Sequence, residues 1–325
     1  MDYLSLIKQP IETELSRFID LFDESLSYAD GLLGLALKAI RQRGGKRMRP
    51  MLVMLLAKNF GEVNEVTQHA ALSLELLHTA SLVHDDVVDE SDERRGQASV
   101  NASYNNKVAV LVGDYILSTS LFHVSNTNNI DIVRSLALLG QTLSDGEILQ
   151  LANIRNNDLS EDVYCRIIER KTASLFATCG AAGAMSVGAK ETEIEAARQF
   201  GWNIGMVFQI RDDIFDYFSD SRVGKPTGND LAEGKITLPL LHVLLKTHDD
   251  RMFQLVRKVK AQTVSPDEIG ELVAFAKAHG GIEYAEQKMQ YYCAEAQTFI
   301  ARYVEDKTLK SALQAYVDYV VERHI

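Results

Sequence analysis

Two acidic pentads set in apolar sequence constrain the fold of this chain more than any other feature. Residues 85–89 read DDVVD and residues 212–216 read DDIFD. In a helix, residues four apart lie on the same face, so the first and last aspartates of each pentad should point the same way. Partly buried carboxylates at close range repel by about 4 kcal/mol per pair, so their burial without a cation is costly. Two such helices facing each other would gather the carboxylates around one space, where hard oxygen ligands suit Mg²⁺.

Helical periodicity runs along almost the whole chain. Apolar residues recur at spacings of three and four, which predicts an all-α fold. Only five prolines interrupt the 325 residues, and 46% of the residues are hydrophobic, which is enough for a large core. No linker or low-complexity tract divides the sequence, so we expect one large helical-bundle domain over residues 1–325. Helices are predicted near 3–26, 31–42, 50–60, 64–92, 105–124, 129–155, 160–188, 191–219, 236–260, 266–279, 282–305 and 307–323.

The composition argues against several classes of function. A net charge of −11 does not suit a nucleic-acid-binding surface. The three cysteines, Cys165, Cys179 and Cys293, are odd in number and widely spaced, so we expect reduced thiols in a cytoplasmic protein. Residues 1–10 lack the apolar run of a signal peptide. The uncharged stretch 172–189 is weakly hydrophobic for a membrane span, so we expect a closely packed buried helix there and no transmembrane segment.

Basic residues accompany both pentads and indicate an anionic ligand. Residues 44–50 read GGKRMRP, in which Lys46 and Arg49 are three apart and could face one anion together. Further cations follow the two pentads, namely Arg94, Arg95, Lys225 and Lys235. Carboxylates that hold Mg²⁺ beside separate cations would suit a highly charged phosphate. His78 lies within about 20° of the face of Asp85 and could donate to that phosphate, although a core histidine bonded to a neighbour is an equal alternative.

Taken in order, these motifs resemble those of the trans-isoprenyl (polyprenyl) diphosphate synthase family over nearly the whole chain. Each motif alone is weak, whereas the ordered set is highly specific. The set consists of GGKRMRP at 44–50, HTASLVHDDVVD at 78–89, RRG at 94–96, GDY at 113–115, KT at 171–172, Gln209, DDIFD at 212–216, GKP at 224–226 and GK at 234–235.

The resemblance implies a fold and a reaction. The fold would be all-α, with the two pentads facing each other across a deep central cavity, and the protein would be a homodimer. In the reaction, an allylic diphosphate loses its diphosphate group, and the double bond of isopentenyl diphosphate attacks the resulting cation before a proton is lost. Three Mg²⁺ ions per active site are implied, and they would stabilise the charge on the leaving group. The cavity would have to exclude water.

The resemblance also implies roles for individual residues. Metal binding is implied for Asp85, Asp89, Asp212 and Asp216, where Asp216, like Asp86 and Asp213, would act through bound water or from behind a ligand. Isopentenyl diphosphate would be held by Lys46, Arg49, His78 and Arg95. The allylic diphosphate would be held by Arg94, Lys171, Thr172, Gln209, Lys225 and Lys235. The residues expected to be needed for catalysis are Asp85, Asp89, Asp212, Lys171 and Lys225.

Small residues before the first pentad bear on product length. Ser81 lies within about 40° of the face of Asp85, and its neighbour Ala80 is also small. In the family that the chain resembles, bulky aromatic residues here block the growing tail, whereas small residues leave a tunnel. We therefore expect a medium- to long-chain product of the kind used for quinone side chains, with Leu74 further along the tunnel. Tight helix packing is the alternative explanation for Ala80 and Ser81.

Four other functions remain open at this point. A short-chain farnesyl or geranylgeranyl synthase would differ only in product length. A His-Asp phosphohydrolase is suggested by His84 and Asp85, but it needs further histidine ligands and leaves the second pentad unexplained. Terpene cyclases usually replace the second pentad with a mixed pattern. In this chain the second pentad is intact. A non-catalytic partner subunit tends to lose pentad aspartates, and this chain keeps all six.

Overall fold

The computed structural model describes residues 2–28, 30–94, 96–156, 159–218 and 227–322. Its helices are α1 (Tyr3–Lys8), α2 (Glu12–Ser25), α3 (Gly31–Gln42), α4 (Met48–Phe60), α5 (Glu65–Val88), α6 (Val100–Ser103), α7 (Asn106–Ser125), α8 (Ile130–Arg155), α9 (Glu161–Ile168), α10 (Ser174–Ser186), α11 (Glu191–Phe215), α12 (Asn229–Ala232), α13 (Leu238–Thr247), α14 (Asp250–Lys260), α15 (Pro266–Ala278), α16 (Gly281–Tyr303) and α17 (Lys307–Glu322). The predicted all-α class is confirmed.

Several predicted helices are divided where the backbone departs from α geometry. A 3₁₀ turn at Gln9–Ile11 separates α1 from α2, and a π turn at Glu169–Ala173 separates α9 from α10. The helix predicted over 236–260 is two helices, because His248 takes a left-handed conformation with φ of 52°. A short antiparallel pair, β1 (Glu93–Arg94) and β2 (Gln97–Ala98), follows the first pentad and was not predicted from the sequence.

The chain divides into two compact units, each built from discontinuous segments. Unit 1 comprises residues 1–140, 178–198 and 304–313, and unit 2 comprises residues 141–177, 199–303 and 314–325. The single domain expected over residues 1–325 stays a prediction.

Unit 1 is built on two helices that are apolar over most of their surface. Every residue from Met51 to Ala57 in α4 is fully buried, as expected for a helix that is hydrophobic on all sides. Helix α5 begins with a capping box, in which Asn64 Oδ1 accepts from the Thr67 amide at 3.1 Å and Thr67 Oγ1 accepts from the Asn64 amide at 3.3 Å. Because α5 is fixed at its start and ends at Val88, the first pentad lies at its C-terminal end, as predicted.

Unit 2 contains a close helix crossing that depends on two glycines of α11. A Cβ atom at Gly201 would lie 2.1 Å from the carbonyl oxygen of Phe176, and one at Gly205 would lie 2.4 Å from Cα of Ala173. Any side chain at these two positions would push α11 away from residues 173–176. The crossing therefore fixes the C-terminal part of α11, which carries the second pentad, against the stretch that contains Lys171 and Thr172.

The stretch 172–189 was expected to be a buried, closely packed helix, and most of it is. Cys179, Ala181, Ala182 and Ala184 in α10 are fully buried. A different helix, α7, is the one that is long and apolar enough to cross a membrane within the part of the chain that the structure describes, and one third of its apolar window is buried. One helix of this length and hydropathy is weak evidence for a membrane span, since the core helices of many proteins have the same length and hydropathy. The absence of a transmembrane segment stays a prediction.

Candidate active site

The first pentad keeps its helical spacing beyond the end of α5. The amide of Asp89 donates to the carbonyl oxygen of Asp85 at 2.8 Å, so the i→i−4 pattern continues through the helix cap. Asp85 is half-buried and Asp89 is exposed. These two aspartates therefore lie on one face at the end of the helix, as the spacing predicted.

Asp86, the middle aspartate of this pentad, is fully buried and tied to the β1–β2 hairpin. Arg94 Nε donates to its Oδ1 at 2.6 Å, and Asn101 Nδ2 donates to its backbone oxygen at 3.2 Å. Burial raises the pKa of the Asp86 carboxyl, while Arg94 and Arg43 act to lower it. Within the described part of the chain, its buried Oδ2 accepts no hydrogen bond. The arginine predicted to bind a diphosphate thus also compensates a buried acid.

A small open cavity of about 50 Å³ lies beside Asp86 in unit 1. The predicted substrate residues His78 and Arg94 both line it. Arg47 also lines it, and is fixed there by an ion pair to Glu75 at 3.0 Å. The structure therefore brings His78 and Arg94 together. Lys46 precedes α4 and Arg49 lies in its first turn, in the same unit, and neither is among the residues that line this cavity.

The middle aspartate of the second pentad is also buried, and both of its oxygens accept hydrogen bonds. Tyr164 Oη donates to Asp213 Oδ2 at 2.6 Å, and Gln209 Nε2 donates to Asp213 Oδ1 at 2.9 Å. Gln209 Oε1 in turn accepts from Thr172 Oγ1 at 2.7 Å. Burial raises the pKa of Asp213 well above its usual range and Asp230 raises it further, whereas Tyr164 and Gln209 act to lower it. A continuous hydrogen-bonded chain therefore joins the pentad to Thr172.

The last aspartate of the second pentad caps a short helix. Asp216 Oδ1 accepts from the amide of Asn229 at 2.9 Å and Oδ2 accepts from the amide of Asp230 at 3.1 Å, at the start of α12. Its own amide donates to the carbonyl oxygen of Asp212 at 3.2 Å, so helical spacing is kept here too. Both carboxylate oxygens of Asp216 already accept hydrogen bonds from backbone amides. Asp216 is therefore better suited to support a neighbouring metal ligand than to bind a metal ion by itself.

Asp230 belongs to the second acidic site but was missed from the sequence. Burial raises its pKa to about 7, and the neighbouring carboxylate of Asp216 adds to this rise, while Lys235 opposes it. A carboxyl group with a pKa raised in this way lies where a bound cation would be stabilising, because neighbouring acids surround it. The only sequence signal was its position at the end of the polar segment after the pentad.

Four predicted substrate residues meet in one open cavity of about 160 Å³ in unit 2. Lys171, Thr172, Gln209 and Lys235 line it together with Asp213, Asp230 and Tyr164. Both lysines are paired with acids: Lys171 Nζ lies 2.6 Å from Glu147 Oε1, and Lys235 pairs with Glu233. Tyr164 gave no signal in the sequence, since an aromatic residue in an apolar helix is most often a core residue. Arg95 and Lys225 lie outside the described residues.

The donor set fits Mg²⁺ when the ion is bound together with phosphate. Among the described residues, no group of three or more His, Cys, Asp or Glu side chains is placed to hold a metal by itself. Mg²⁺ commonly takes only one or two carboxylates and completes its shell with water and substrate phosphate. Burial raises the pKa values of Asp86, Asp213 and Asp230, so a nearby cation would stabilise the charged form of each carboxyl.

The two residues predicted to set product length differ in burial. Ala80 is 1% exposed and packed within unit 1. Ser81 is half-buried, and its hydroxyl donates to the carbonyl oxygen of His78 at 2.9 Å. Leu74, further along the same helix, is 2% exposed. Ser81 is therefore the better position at which to add bulk without disturbing the core.

The sequence and the fold of this chain are similar to those of known proteins. Residues 31–275 match the family model for polyprenyl synthetases. Octaprenyl diphosphate synthase from Haemophilus influenzae is 36% identical over 286 residues, covering 88% of this chain and 86% of that protein. The crystal structure of geranylgeranyl pyrophosphate synthase from Bacteroides thetaiotaomicron is 49% identical, with a TM-score of 0.88 over 99% of this chain and 100% of that one. Polyprenyl synthase from Caulobacter crescentus, complexed with calcium and isoprenyl diphosphate, is 29% identical, with a TM-score of 0.91 over 98% of each chain.

Removing the Tyr164 hydroxyl tests the hydrogen-bonded chain at the second pentad. Tyr164→Phe leaves one oxygen of buried Asp213 without its donor, so we expect the free energy of unfolding to fall by about 1–3 kcal/mol. Urea denaturation of the wild type and the variant measures this. Tyr291→Phe is the control, because Tyr291 is 60% exposed. Equal losses in the two variants would show that the Tyr164–Asp213 bond contributes nothing.

Proposed function

Because this chain belongs to the polyprenyl synthetase family, we propose that it is an all-trans polyprenyl diphosphate synthase. This prenyltransferase would join isopentenyl diphosphate to an allylic diphosphate, such as farnesyl diphosphate, in successive Mg²⁺-dependent steps. The observation that carries the proposal is the cavity in unit 2, where Lys171, Thr172, Gln209 and Lys235 meet beside the buried Asp213. Two cations and a hydroxyl next to an acidic pentad are the groups that a metal-bound diphosphate needs.

The allylic diphosphate would be bound by Lys171 and Lys235, with Lys225, Arg94 and Thr172 completing the site. These cations stabilise the negative charge that develops on the leaving diphosphate. The single hydroxyl proton of Thr172 is donated to Gln209 in the structure and would turn to the diphosphate when the substrate binds. Gln209 has its amide group fixed, because Asp213 accepts from its nitrogen and Thr172 donates to its oxygen. The position of Thr172 Oγ1 is thereby fixed beside Gln209. Isopentenyl diphosphate would be bound by Lys46, Arg49, His78 and Arg95.

Mg²⁺ would be held by Asp85, Asp89 and Asp212, with Asp216 in support, and three ions per site are proposed. When bound, Mg²⁺ supplies Lewis-acid stabilisation of the departing diphosphate. The cation left at the allylic carbon is attacked by the double bond of isopentenyl diphosphate, which forms the new carbon–carbon bond. A proton then leaves the adduct, with the released diphosphate as its acceptor. The calcium and isoprenyl diphosphate bound in the Caulobacter crescentus relative support a divalent cation beside the substrate.

Product length is the point on which the named relatives differ. The Haemophilus influenzae relative is an octaprenyl diphosphate synthase, whereas the Bacteroides thetaiotaomicron structure is a geranylgeranyl pyrophosphate synthase. We propose a medium- to long-chain product for quinone side chains, because Ala80 and Ser81 put no bulk before the first pentad. Geranylgeranyl diphosphate, the product in the name of the second relative, is the alternative.

A homodimer in the cytoplasm is proposed as the working form. Helix α7 in unit 1 exposes large apolar side chains, with Leu111 at 68%, Phe122 at 63% and Leu121 at 52%. Large exposed apolar side chains of this kind on a surface helix are typical of a protein interface. The three cysteines are free thiols in the structure, which supports a reducing compartment.

Chain-length analysis of the products tests the proposed function directly. The purified chain is incubated with labelled isopentenyl diphosphate, farnesyl diphosphate and Mg²⁺, and the extracted products are sized. We expect prenyl chains beyond the length of geranylgeranyl and their loss when EDTA is added. Absence of any elongated product would contradict the proposal. Phosphate release from nucleotides under the same conditions would instead favour the alternative function of a His-Asp phosphohydrolase.

Bulk at residue 81 tests the basis of product length. Ser81→Phe should shorten the longest product by several isoprene units, because the aromatic ring would block the path of the growing tail. Ser81→Ala is the matched control, since it removes the hydroxyl without adding bulk, and its products should keep the wild-type length. Products of unchanged length from Ser81→Phe would show that the tail does not pass this position.

A further inference from the structure

The turn that carries Lys171 and Thr172 is a π turn rather than part of a regular α-helix. It spans Glu169–Ala173, and the amide of Ser174 donates to the carbonyl oxygen of Glu169 across its end. Single π turns inside helices are rare and often occur at functional sites. Here the wider turn places two consecutive side chains, Lys171 and Thr172, in the wall of the same cavity.

A glycine of α8 lies directly against this turn. A Cβ atom at Gly146 would lie 2.9 Å from Cβ of Arg170, 2.9 Å from Cγ of Lys171 and 3.2 Å from the backbone nitrogen of Lys171. These atoms are close to the backbone, so rotation of a flexible side-chain end would not relieve the clash. The absence of a side chain at residue 146 is therefore needed for the turn to pack as it does.

Two ion pairs fix the register of the turn on either side of this glycine. Asp145 Oδ2 lies 2.5 Å from Arg170 Nη1, and Glu147 Oε1 lies 2.6 Å from Lys171 Nζ. Three consecutive residues of α8 thus hold two consecutive residues of the turn. Because the paired groups are partly exposed, each ion pair adds little to stability, and its main effect is to position the side chains of the turn.

The opposite side of the turn is equally close to a second helix. A Cβ atom at Gly205 of α11 would lie 2.4 Å from Cα of Ala173, and Thr172 is hydrogen-bonded to Gln209 on the same helix. The turn is therefore held between two helices, and it cannot move away from α8 without disturbing its contacts with α11.

We propose that Gly146 is a positioning residue for the allylic diphosphate, because it allows the π turn to place Lys171 and Thr172 together in the cavity wall. The inference rests on the proposed function of this cavity. It concerns a residue that touches no substrate and acts only through Lys171 and Thr172. A side chain at residue 146 would shift the turn by a few tenths of an ångström or more, which is enough to misplace the side chains of Lys171 and Thr172.

Gly146→Ala tests the role, with Gly140→Ala as its matched control on the same helix. An added Cβ at Gly140 would meet no atom within 4 Å. Calorimetry measures the dissociation constant of a thiolo analogue of farnesyl diphosphate, which does not ionise readily, in the presence of Mg²⁺. We expect Gly146→Ala to weaken this binding by about tenfold and to raise the KM for farnesyl diphosphate by a similar factor. The KM for isopentenyl diphosphate and all constants of Gly140→Ala should stay at wild-type values.

A double variant separates positioning from loss of stability. Alanine stabilises a helix relative to glycine, so Gly140→Ala should raise the thermal midpoint of a chain that carries Gly146→Ala. Positioning predicts that this double variant still binds the analogue about tenfold more weakly than the wild type. Recovery of wild-type affinity together with stability would overturn the proposal. So would an unchanged dissociation constant in Gly146→Ala, or equal losses for both substrates.

The same titrations separate this inference from the proposed function. If the wild type binds the analogue but forms no prenyl product, the proposed function is contradicted. The ratio of the dissociation constants of Gly146→Ala and the wild type would still decide the role of Gly146.

Discussion

Carboxylates held partly out of water at the ends of two long helices are the constraint on which the rest of the structure depends. The middle aspartate of each pentad, Asp86 or Asp213, is buried and carries a raised pKa because burial disfavours its charged form. Each is compensated by named donors: Arg94 for one, and Tyr164 with Gln209 for the other. The outer aspartates have more access to solvent, which leaves them suited to a cation that arrives with the substrate.

The buried aspartates also organise the groups around them. Asp86 holds the β1–β2 hairpin against α5 through Arg94, which also lines the cavity of unit 1. Asp213 fixes Gln209, and Gln209 fixes Thr172 on the π turn. In both units, an acid that would be costly if left alone is used to orient a group predicted to bind diphosphate. Stability and placement of the site therefore come from the same bonds.

Much of this arrangement follows from local pattern. Helical periodicity predicted the all-α class, and the pentads were correctly placed at the ends of α5 and α11. The resemblance to a known family, rather than local pattern, implied that Lys171, Thr172, Gln209 and Lys235 hold one substrate, and these four residues do line one cavity. The π turn, Tyr164 and Asp230 were not predictable, because each depends on packing between segments distant in sequence. Periodicity reports which face of a helix is buried, but it cannot reveal one wider turn or the partner of a buried acid.

Titration of inorganic diphosphate with and without Mg²⁺ tests the central claim, that the acidic sites bind a cation and a diphosphate together. The account predicts that Mg²⁺ strengthens diphosphate binding to the wild type by more than about tenfold, or about 1.4 kcal/mol. Asp85→Asn and Asp212→Asn should each lose most of that gain, because each removes a carboxylate proposed to hold the ion. Equal affinity in the presence of Mg²⁺ or EDTA would contradict the account.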